Sequence, residues 1–258
     1  MSSIIFEIKD SIAVITLNRP DKYNAFNREM ALLLQEKLDE CEQSTTIRCV
    51  YITGAGKAFS SGQDLDEVMD PNGPKIMQIL SEHYNPIVRK IRKLSKPVVC
   101  GVNGVAAGAG ANIAVCCDIV VATESATFIQ AFSKIGLIPD SGGTFFLPRL
   151  IGLQKSLALT MLGDKVTATE AEQMGMLYKV FGDDVFKKQS FKIAEKLSQM
   201  PTKALHFTKK ALNQAFISSF EEQLHDEVVL QERASRTHDY KEGVQAFLEK
   251  REPNFKGE

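Results

Sequence analysis

The sequence predicts an α/β fold that is followed by a region of helices alone. Short β-rich runs alternate with segments of helical periodicity up to about residue 185. Some of these runs, such as PVVCGV at 97–102, are continuously apolar, which is typical of strands buried on both faces of a parallel sheet. Beyond that point every periodic segment is helical. The alternation of strand and helix indicates a largely buried sheet.

The N-terminal elements follow from local signals. Two β-rich runs at 4–8 and 12–17 flank Lys9-Asp10-Ser11, which predicts a hairpin. Helical spacing predicts a helix over 28–41, and RCVYITG then predicts a strand over 48–54. An amphipathic segment covers about 75–93.

The second half begins with a small-residue segment, AAGAGANIAVCC at 106–117, which predicts a buried helix. Strands are predicted at 118–123 and 126–131, and helices at 187–199, 202–217, 220–236 and 239–251. Helices with apolar stripes need a surface to pack against. We expect either their own core or a neighbouring subunit.

Composition excludes several classes of function. The 258 residues carry 31 Lys and Arg against 32 Asp and Glu, and this near-balance gives no basis for nucleic-acid binding. The sequence shows no secretory signal and no apolar run long enough to cross a membrane. Five cysteines, an odd number without a CxxC pair, are expected to be reduced core residues of a cytoplasmic protein.

Several familiar motifs fail on inspection. GAGK at 54–57 has Tyr51 and Ala58 where a phosphate-binding loop needs Gly and Ser or Thr. GAGANI at 108–113 has Ile113 where the dinucleotide fingerprint needs Gly. The four histidines share no metal-ligand spacing, so no metal site is expected. A Ser-His-Asp triad stays open, but no GxSxG elbow occurs to motivate one.

Two loops of small residues and one acid remain. AFSSGQDL at 58–65 follows a strand, and VNGVAAGAGA at 102–111 leads from a strand into a helix. Small residues allow close approach of a ligand, and two such loops can direct two backbone N–H groups at one oxygen. Asp140 lies in IPDSGGT at 138–144. Its local sequence favours a turn or the start of a helix, and leaves a role in proton transfer open.

These motifs resemble the crotonase, or enoyl-CoA hydratase/isomerase, superfamily. The resemblance rests on NRPDKYNAFN, AFSSGQDL, KPVVCGVNGVAAGAGANIAVCCDIVVATESATF and GLIPDSGGTFFLPRLIG, and extends to FLEKREPNFKG near the C-terminus. It implies a spiral of ββα turns over 1–195 and a helical oligomerisation region over 196–258, forming a homotrimer or a hexamer built as a dimer of trimers. The AFSKIGLIPDSGGT run is most similar to isomerases of phenylacetate catabolism that act on 1,2-epoxyphenylacetyl-CoA.

The resemblance also implies a site for an acyl-CoA thioester, with coenzyme A as part of the substrate and no separate cofactor. The N–H groups of Gln63 and Ala109 would form the oxyanion hole, although many members carry Gly at the second position. CoA-contacting positions fall on Lys22, Ser61, Gly62, Asp64 and Gly108. A basic or aromatic residue near Lys250 or Phe247, from this subunit or the next, would complete that site. Asp64 also fits a structural loop carboxylate, and Tyr84 would either line the acyl pocket or only pack.

The two glutamates of the hydratases in this family are absent. Their positions hold Asn112, a helix polar residue expected to face the pocket, and Phe132. Moving a double bond needs only one group that removes and returns a proton, and Asp140 matches an aspartate of the family's isomerases. We therefore expect an isomerase that uses Asp140. A hydratase with a displaced acid and a non-catalytic acyl-CoA-binding scaffold are the alternatives.

Overall fold

The computed structural model describes residues 2–258, which form two sheets and the helices that pack on them. The larger sheet has the strand order β1-β2-β3-β5-β7-β10, and the smaller has the order β4-β6-β8-β9. The strands are β1 Ile4–Lys9, β2 Ile12–Leu17, β3 Cys49–Gly54, β4 Ala58–Ser60, β5 Val98–Val102, β6 Val105–Ala107, β7 Ile119–Thr123, β8 Thr127–Ile129, β9 Lys165–Thr167 and β10 Lys179–Phe181.

From β3 to β8, successive strands alternate between the two sheets, which produces a spiral. After the antiparallel β1–β2 hairpin, pairing in the larger sheet is parallel throughout. Each of β3, β5 and β7 is followed within a few residues by a short strand of the smaller sheet, where β4, β6 and β8 also pair in parallel. The carboxyl ends of β4 and β6 therefore lie side by side, and the two small-residue loops leave from them.

Helices cover the sheets and form the C-terminal region. A π-helical turn, Ile79–Tyr84, joins α3 and α4 into one continuous helical segment. Short 3-10 helices occur at Pro20–Lys22 and Ala131–Ile135. The helices are α1 Arg28–Gln43, α2 Leu65–Met69, α3 Ile76–Gln78, α4 Asn85–Lys93, α5 Ala109–Val115, α6 Gly143–Ile151, α7 Leu153–Leu162, α8 Ala168–Gln173, α9 Phe186–Ser198, α10 Thr202–Gln214, α11 Phe220–Ser235 and α12 His238–Glu249.

The main hydrophobic core lies between the two sheets and helices α1, α4 and α5. All seven residues of α5 are buried, as the small-residue segment predicts. A second cluster forms where α9 packs on the outer face of the larger sheet, against side chains such as Tyr51 and Val99. The predicted boundary at 195 falls inside α9, and the division into two regions stays a prediction.

The α/β architecture and the long helices are confirmed, while one segment differs. The helix expected from residue 106 begins only at Ala109, because 105–107 form β6 and pair with β4 and β8. All five cysteines are buried and carry free thiols. Across residues 2–258, no helix has the length and apolar character that a bilayer span requires.

Candidate active site

The first loop leaves β4 and turns at Gly62. This glycine adopts φ +92, a left-handed conformation that side chains rarely tolerate. Its carbonyl accepts the N–H of Phe26 at 2.6 Å, and the N–H of Asp64 donates to the carbonyl of Phe26 at 2.8 Å. These two bonds hold the intervening peptide of Gln63. Within residues 2–258, the Gln63 N–H itself has no hydrogen-bond acceptor.

The second loop leaves β6 and enters α5 through Gly108. Gly108 has φ +51, and its N–H donates to the carbonyl of Ile129 at 2.9 Å. Ala109 is the first residue of α5, so its N–H has no intrahelical acceptor, and no other acceptor from the described chain reaches it. The structure therefore leaves the N–H groups of both predicted oxyanion residues unpaired.

The two loops are in direct contact. A Cβ placed on Gly62 would lie 2.9 Å from the carbonyl oxygen of Ala107 and 3.3 Å from the nitrogen of Ala109. A Cβ on Gly110 would lie 2.6 Å from the Cβ of Ser60. The glycines therefore allow the close approach that the sequence predicts, and this approach brings the peptides of Gln63 and Ala109 together.

Asp140 lies in the turn before α6 and does not cap that helix. The N-cap of α6 is Gly142, and no side chain caps the helix, so the helix-start alternative is wrong. The turn is built from Ser141 at φ +50 and Gly142 at φ +79. The carboxylate accepts one hydrogen bond, from Oγ of Ser141 at 2.8 Å. Burial raises the pKa of Asp140 to about 6, although the Ser141 hydrogen bond opposes this rise.

Asn112 links Asp140 to the second loop. It lies on α5, three residues after Ala109, and is fully buried. Its Nδ2 donates to the main-chain carbonyl of Asp140 at 2.9 Å, and its Oδ1 accepts from Nε2 of Gln130 at 2.9 Å. Asn112 is therefore bonded to the Asp140 turn, and the expectation that it faces the pocket stays a prediction. Gln130 was not singled out by sequence, because an isolated Gln at the end of a strand carries no recognisable signal.

The side chain of Gln63 is held by two neighbours. The hydroxyl of Tyr84 donates to its Oε1 at 2.9 Å, and its Nε2 donates to Glu67 at 3.0 Å. Tyr84 is buried and packs edge-on against Phe26 with ring centroids 5.8 Å apart. Burial, followed by the nearby charge of Asp140, raises the pKa of Tyr84 well above its usual range. Tyr84 thus contacts Gln63 and lies within reach of the charge of Asp140.

The residues assigned to CoA binding lie together at the edge of the first loop. Nζ of Lys22 forms an ion pair with Asp66 at 2.7 Å, and the neighbouring Ser61 is exposed, with its N–H donating to the carbonyl of Tyr23. Both carboxylate oxygens of Asp64 bond groups that hold the loop and α2 in place. One of its oxygens accepts from Arg19 at 2.8 Å, and the other caps α2 by accepting the N–H of Asp66.

The other two candidates for CoA binding, Phe247 and Lys250, are not bonded, within the described residues, to the edge formed by Lys22 and Ser61. Phe247 is 83% exposed at the end of α12, and Lys250 follows it in a left-handed conformation. Among residues 2–258, no hydrogen bond or ion pair connects either one to the loop of Lys22 and Ser61. A cavity of about 730 Å³ lies elsewhere, between α9 and the outer face of the larger sheet, and contains none of the predicted site residues.

Two unpaired main-chain donors on loops in contact, and a half-buried carboxyl on a turn that is bonded to α5, define a site suited to enzymatic chemistry next to a carbonyl group. In the described part of the chain, no cluster of His, Cys, Asp or Glu is arranged to hold a metal ion. Residues 7–258 match the family model described as enoyl-CoA hydratase/isomerase. The chain belongs to the enoyl-CoA hydratase/isomerase, or crotonase, family.

Relatives within this family carry different activities in their names. The chain is 45% identical to 1,2-epoxyphenylacetyl-CoA isomerase of Escherichia coli K12, over 100% of this chain and 99% of the relative. It is 40% identical to a probable enoyl-CoA hydratase of Rhodobacter capsulatus, over 99% and 98% of the two chains. The crystal structure of an enoyl-CoA hydratase from Bacillus anthracis superposes with a TM-score of 0.95 at 31% identity, covering 99% of this chain and 100% of that one.

Proposed function

We propose that the protein is an acyl-CoA isomerase in which Asp140 is the single acid/base and the N–H groups of Gln63 and Ala109 hold the thioester oxygen. The observation that carries this proposal is the pairing of one half-buried carboxyl with two unpaired main-chain donors. The raised pKa of Asp140, about 6, suits a group that must gain and lose a proton near neutral pH.

The proposed reaction needs no external reagent. Asp140 removes a proton made acidic by the thioester carbonyl, and the electron pair moves onto the carbonyl oxygen as an enolate or dienolate. The two N–H donors stabilise that negative charge. The protonated Asp140 then returns the proton to a different carbon, which moves the double bond. With a ring 1,2-epoxide as substrate, the same groups would assist the rearrangement of the epoxide ring.

Enoyl-CoA hydration is the second candidate, and the name of the Rhodobacter capsulatus relative favours it. Adding water across the double bond calls for a base for the water and an acid for the α-carbon. The two positions that hold glutamates in hydratases carry a fully engaged amide, Asn112, and an apolar ring, Phe132. We therefore place isomerisation first.

The deciding experiment is a substrate panel. Purified protein is incubated with 2-enoyl, 3-enoyl, 2,5-dienoyl and 1,2-epoxyphenylacetyl thioesters of CoA, and the products are separated by chromatography. Double-bond migration or epoxide rearrangement that falls about 10²–10⁴-fold in Asp140→Ala supports the proposal. Rapid water addition to the 2-enoyl thioester establishes the hydratase instead. Full isomerase rates in Asp140→Ala contradict the mechanism.

A non-catalytic acyl-CoA-binding scaffold is the alternative of another class. It requires that thioester binding persists while no member of the panel is converted. Calorimetric titration with a non-hydrolysable acyl-CoA analogue measures this binding, so a protein that binds the analogue but yields no product from the panel is the scaffold. Lys22, Ser61 and Gly62 form the proposed CoA-contacting edge, with Gly108 at the second loop.

We also propose self-association as a homotrimer or hexamer through the C-terminal helices. Several apolar side chains of α10–α12 and the loops between them are more than half exposed: Leu212, Phe216, Ile217, Phe220, Val228, Tyr240, Phe247 and Leu248. A surface of this kind is typical of an interface between subunits. Light scattering coupled to gel filtration measures the assembly. A cytoplasmic location stays a prediction.

A further inference from the structure

Asp140 is held by its main chain, while its carboxylate remains lightly bonded. The main-chain carbonyl oxygen of Asp140 accepts two hydrogen bonds, from Nδ2 of Asn112 at 2.9 Å and from the N–H of Gly143 at 2.8 Å. Within residues 2–258, the carboxylate accepts a hydrogen bond only from the hydroxyl of Ser141. Whatever fixes the direction of the carboxylate must therefore act largely through the backbone of this turn.

The orientation of the Asn112 amide is determined by its partners. A main-chain carbonyl oxygen can only accept, so the nitrogen of Asn112 must face Asp140. The oxygen of Asn112 then faces Gln130, which must present its own nitrogen. A chain of two amides therefore runs from the end of β8 through α5 to the Asp140 turn, and each amide has one allowed orientation.

The Asn112 amide is also packed tightly. A Cβ placed on Gly143 would lie 2.3 Å from Nδ2 of Asn112, so the amide rests directly on the first residue of α6. The same turn contains Ser141 and Gly142, both with positive φ, a conformation that is costly for Ser141. Such a turn persists only when its surroundings determine it, and the Asn112 hydrogen bond is a buried contact that does so.

We propose that Asn112 is a positioning residue, oriented by Gln130, that holds the main chain of Asp140 so that its carboxylate faces the donors of Gln63 and Ala109. This inference rests on the function proposed above. Asn112 acts through Asp140, because its side chain is fully buried and its nitrogen and oxygen each bond a group of the protein. The position that holds an acid in hydratases thus serves here to support the remaining acid.

Few charged groups surround the Asp140 carboxyl. Helix α5 contains no titratable side chain, and the only one on α6 is Arg149, whose guanidinium stacks on Phe145. The 3-10 turn before Asp140 contributes Lys134. The charge of Asp140 acts on Tyr84 of the π-helical turn, as do those of Asp64 in the first loop and Glu67 in α2. The effect of a new negative charge at position 112 on Asp140 would therefore be opposed by few other charges.

The test uses two substitutions of Asn112 and a matched control. Asn112→Ala removes the donor, and Asn112→Asp keeps the shape but sets an acceptor against the Asp140 carbonyl. We expect kcat to fall about 10–100-fold in both, with KM within about threefold of wild type, because a misplaced base impairs chemistry more than binding. Gln130→Ala should also lower kcat, but by a smaller factor. The control Asn103→Asp changes another amide that binds main-chain groups, at Gly54 and Gly56.

Readouts independent of turnover separate positioning from a general loss of stability. The pKa of Asp140 is measured by NMR titration of ¹³C-labelled aspartate, and hydrogen exchange is followed at the Gly143 N–H. Asn112→Asp should raise the pKa of Asp140, since the added carboxylate is a like charge. Asn112→Ala should speed hydrogen exchange of the Gly143 N–H under conditions in which the protein as a whole remains folded. Asn103→Asp should leave both quantities at their wild-type values.

The results separate this inference from the proposed function. Wild-type kcat in Asn112→Ala, with an unchanged Asp140 pKa and unchanged Gly143 exchange, overturns the positioning role. If wild type converts none of the thioesters, the proposed function fails, and the NMR and exchange measurements still decide whether Asn112 holds the turn. If Asn112→Asp does not fold, Asn112→Ala and Gln130→Ala carry the same test.

Discussion

The hydroxyl of Tyr84 donates a 2.9 Å hydrogen bond to Oε1 of Gln63, the residue whose main-chain N–H is one of the two proposed oxyanion donors. The two residues are 21 positions apart and meet because the π-helical turn directs the buried tyrosine ring toward the first loop. Together with Glu67, Tyr84 restrains the side chain of Gln63 from both ends of its amide. The loop conformation therefore depends on a residue outside the loop.

Removing that hydroxyl should weaken the loop. Tyr84→Phe leaves Oε1 of Gln63 without its donor, and we expect the free energy of unfolding to fall by about 1–2 kcal/mol. The kcat for isomerisation should fall as well, but by less than in Asp140→Ala. Urea unfolding and steady-state kinetics check the two effects. Tyr178→Phe, at an exposed tyrosine, is the control, and equal effects in both variants would contradict the restraint.

The pH dependence of kcat/KM should report Asp140. Because the carboxylate is the base, activity requires the deprotonated form, and kcat/KM should rise with pH and level off above about 6. The hydroxyl of Ser141 lowers the pKa of Asp140, so Ser141→Ala should move the inflection to higher pH. A profile without an inflection between about pH 5 and 8 would speak against Asp140 as the base.

Asp140 should reduce the stability of the protein above pH 6. Its pKa in the folded state, about 6, lies above the ordinary value of 3.8, so ionisation favours the unfolded chain. Asp140→Asn should therefore raise the free energy of unfolding by about 2–3 kcal/mol at pH 8, because each tenfold change in proton affinity corresponds to about 1.4 kcal/mol. The gain should shrink as the pH falls through 6 and vanish below 3.8.

Denaturant unfolding at several pH values measures this gain. Asp164→Asn provides a matched change at an exposed aspartate and should alter stability little at any pH. A gain of the same size at pH 8 and at about pH 4 would mean that the charge of Asp140 is not its cause.

A methyl group on Gly62 should close the gap between the two loops. In Gly62→Ala the added Cβ would meet the carbonyl oxygen of Ala107 at 2.9 Å and the nitrogen of Ala109 at 3.3 Å, so the loops must separate. We expect kcat to fall by about 10²-fold or more, the effect typical of losing an oxyanion donor. The measurement is kcat on whichever thioester proves active.

Gly152 supplies the control for that substitution. It has a similar φ of +76, but a Cβ there meets no atom within 4 Å. Gly152→Ala should therefore lose about 1–3 kcal/mol of stability from its backbone conformation alone, because φ +76 with ψ 161 is a region essentially limited to glycine. Its kcat should equal that of wild type. A loss of activity of the same size in both variants would show that backbone strain, rather than the approach of the loops, is responsible.

Most of the fold could be predicted from the sequence, because buried parallel strands and amphipathic helices leave clear patterns. Strand β6 could not, since Val105-Ala106-Ala107 is too short and too rich in alanine to differ from the start of the following helix. It becomes a strand through pairing with β4 and β8, which is a tertiary effect.

The candidate site was predictable only in part. Family motifs indicated Asp140, Gln63 and Ala109. The structure places Gln63 and Ala109 on loops in contact and joins the Asp140 turn to α5 through Asn112. The contacts of Asn112 could not be predicted, because they join residues 28 and 18 positions away through amide groups that have no periodic pattern. Local sequence even favoured a helix cap for Asp140, since capping and turn chemistry use the same residue types.

Both proposed oxyanion donors are main-chain groups, and this affects how the site can be studied and how it tolerates mutation. An alanine scan would leave the N–H groups of Gln63 and Ala109 intact, since every residue except proline keeps that group. Replacing a single peptide amide with an ester by semisynthesis removes one donor and little else. Sequence drift at these two positions would therefore preserve the donors as long as the backbone path at Gly62 and Gly108 is kept.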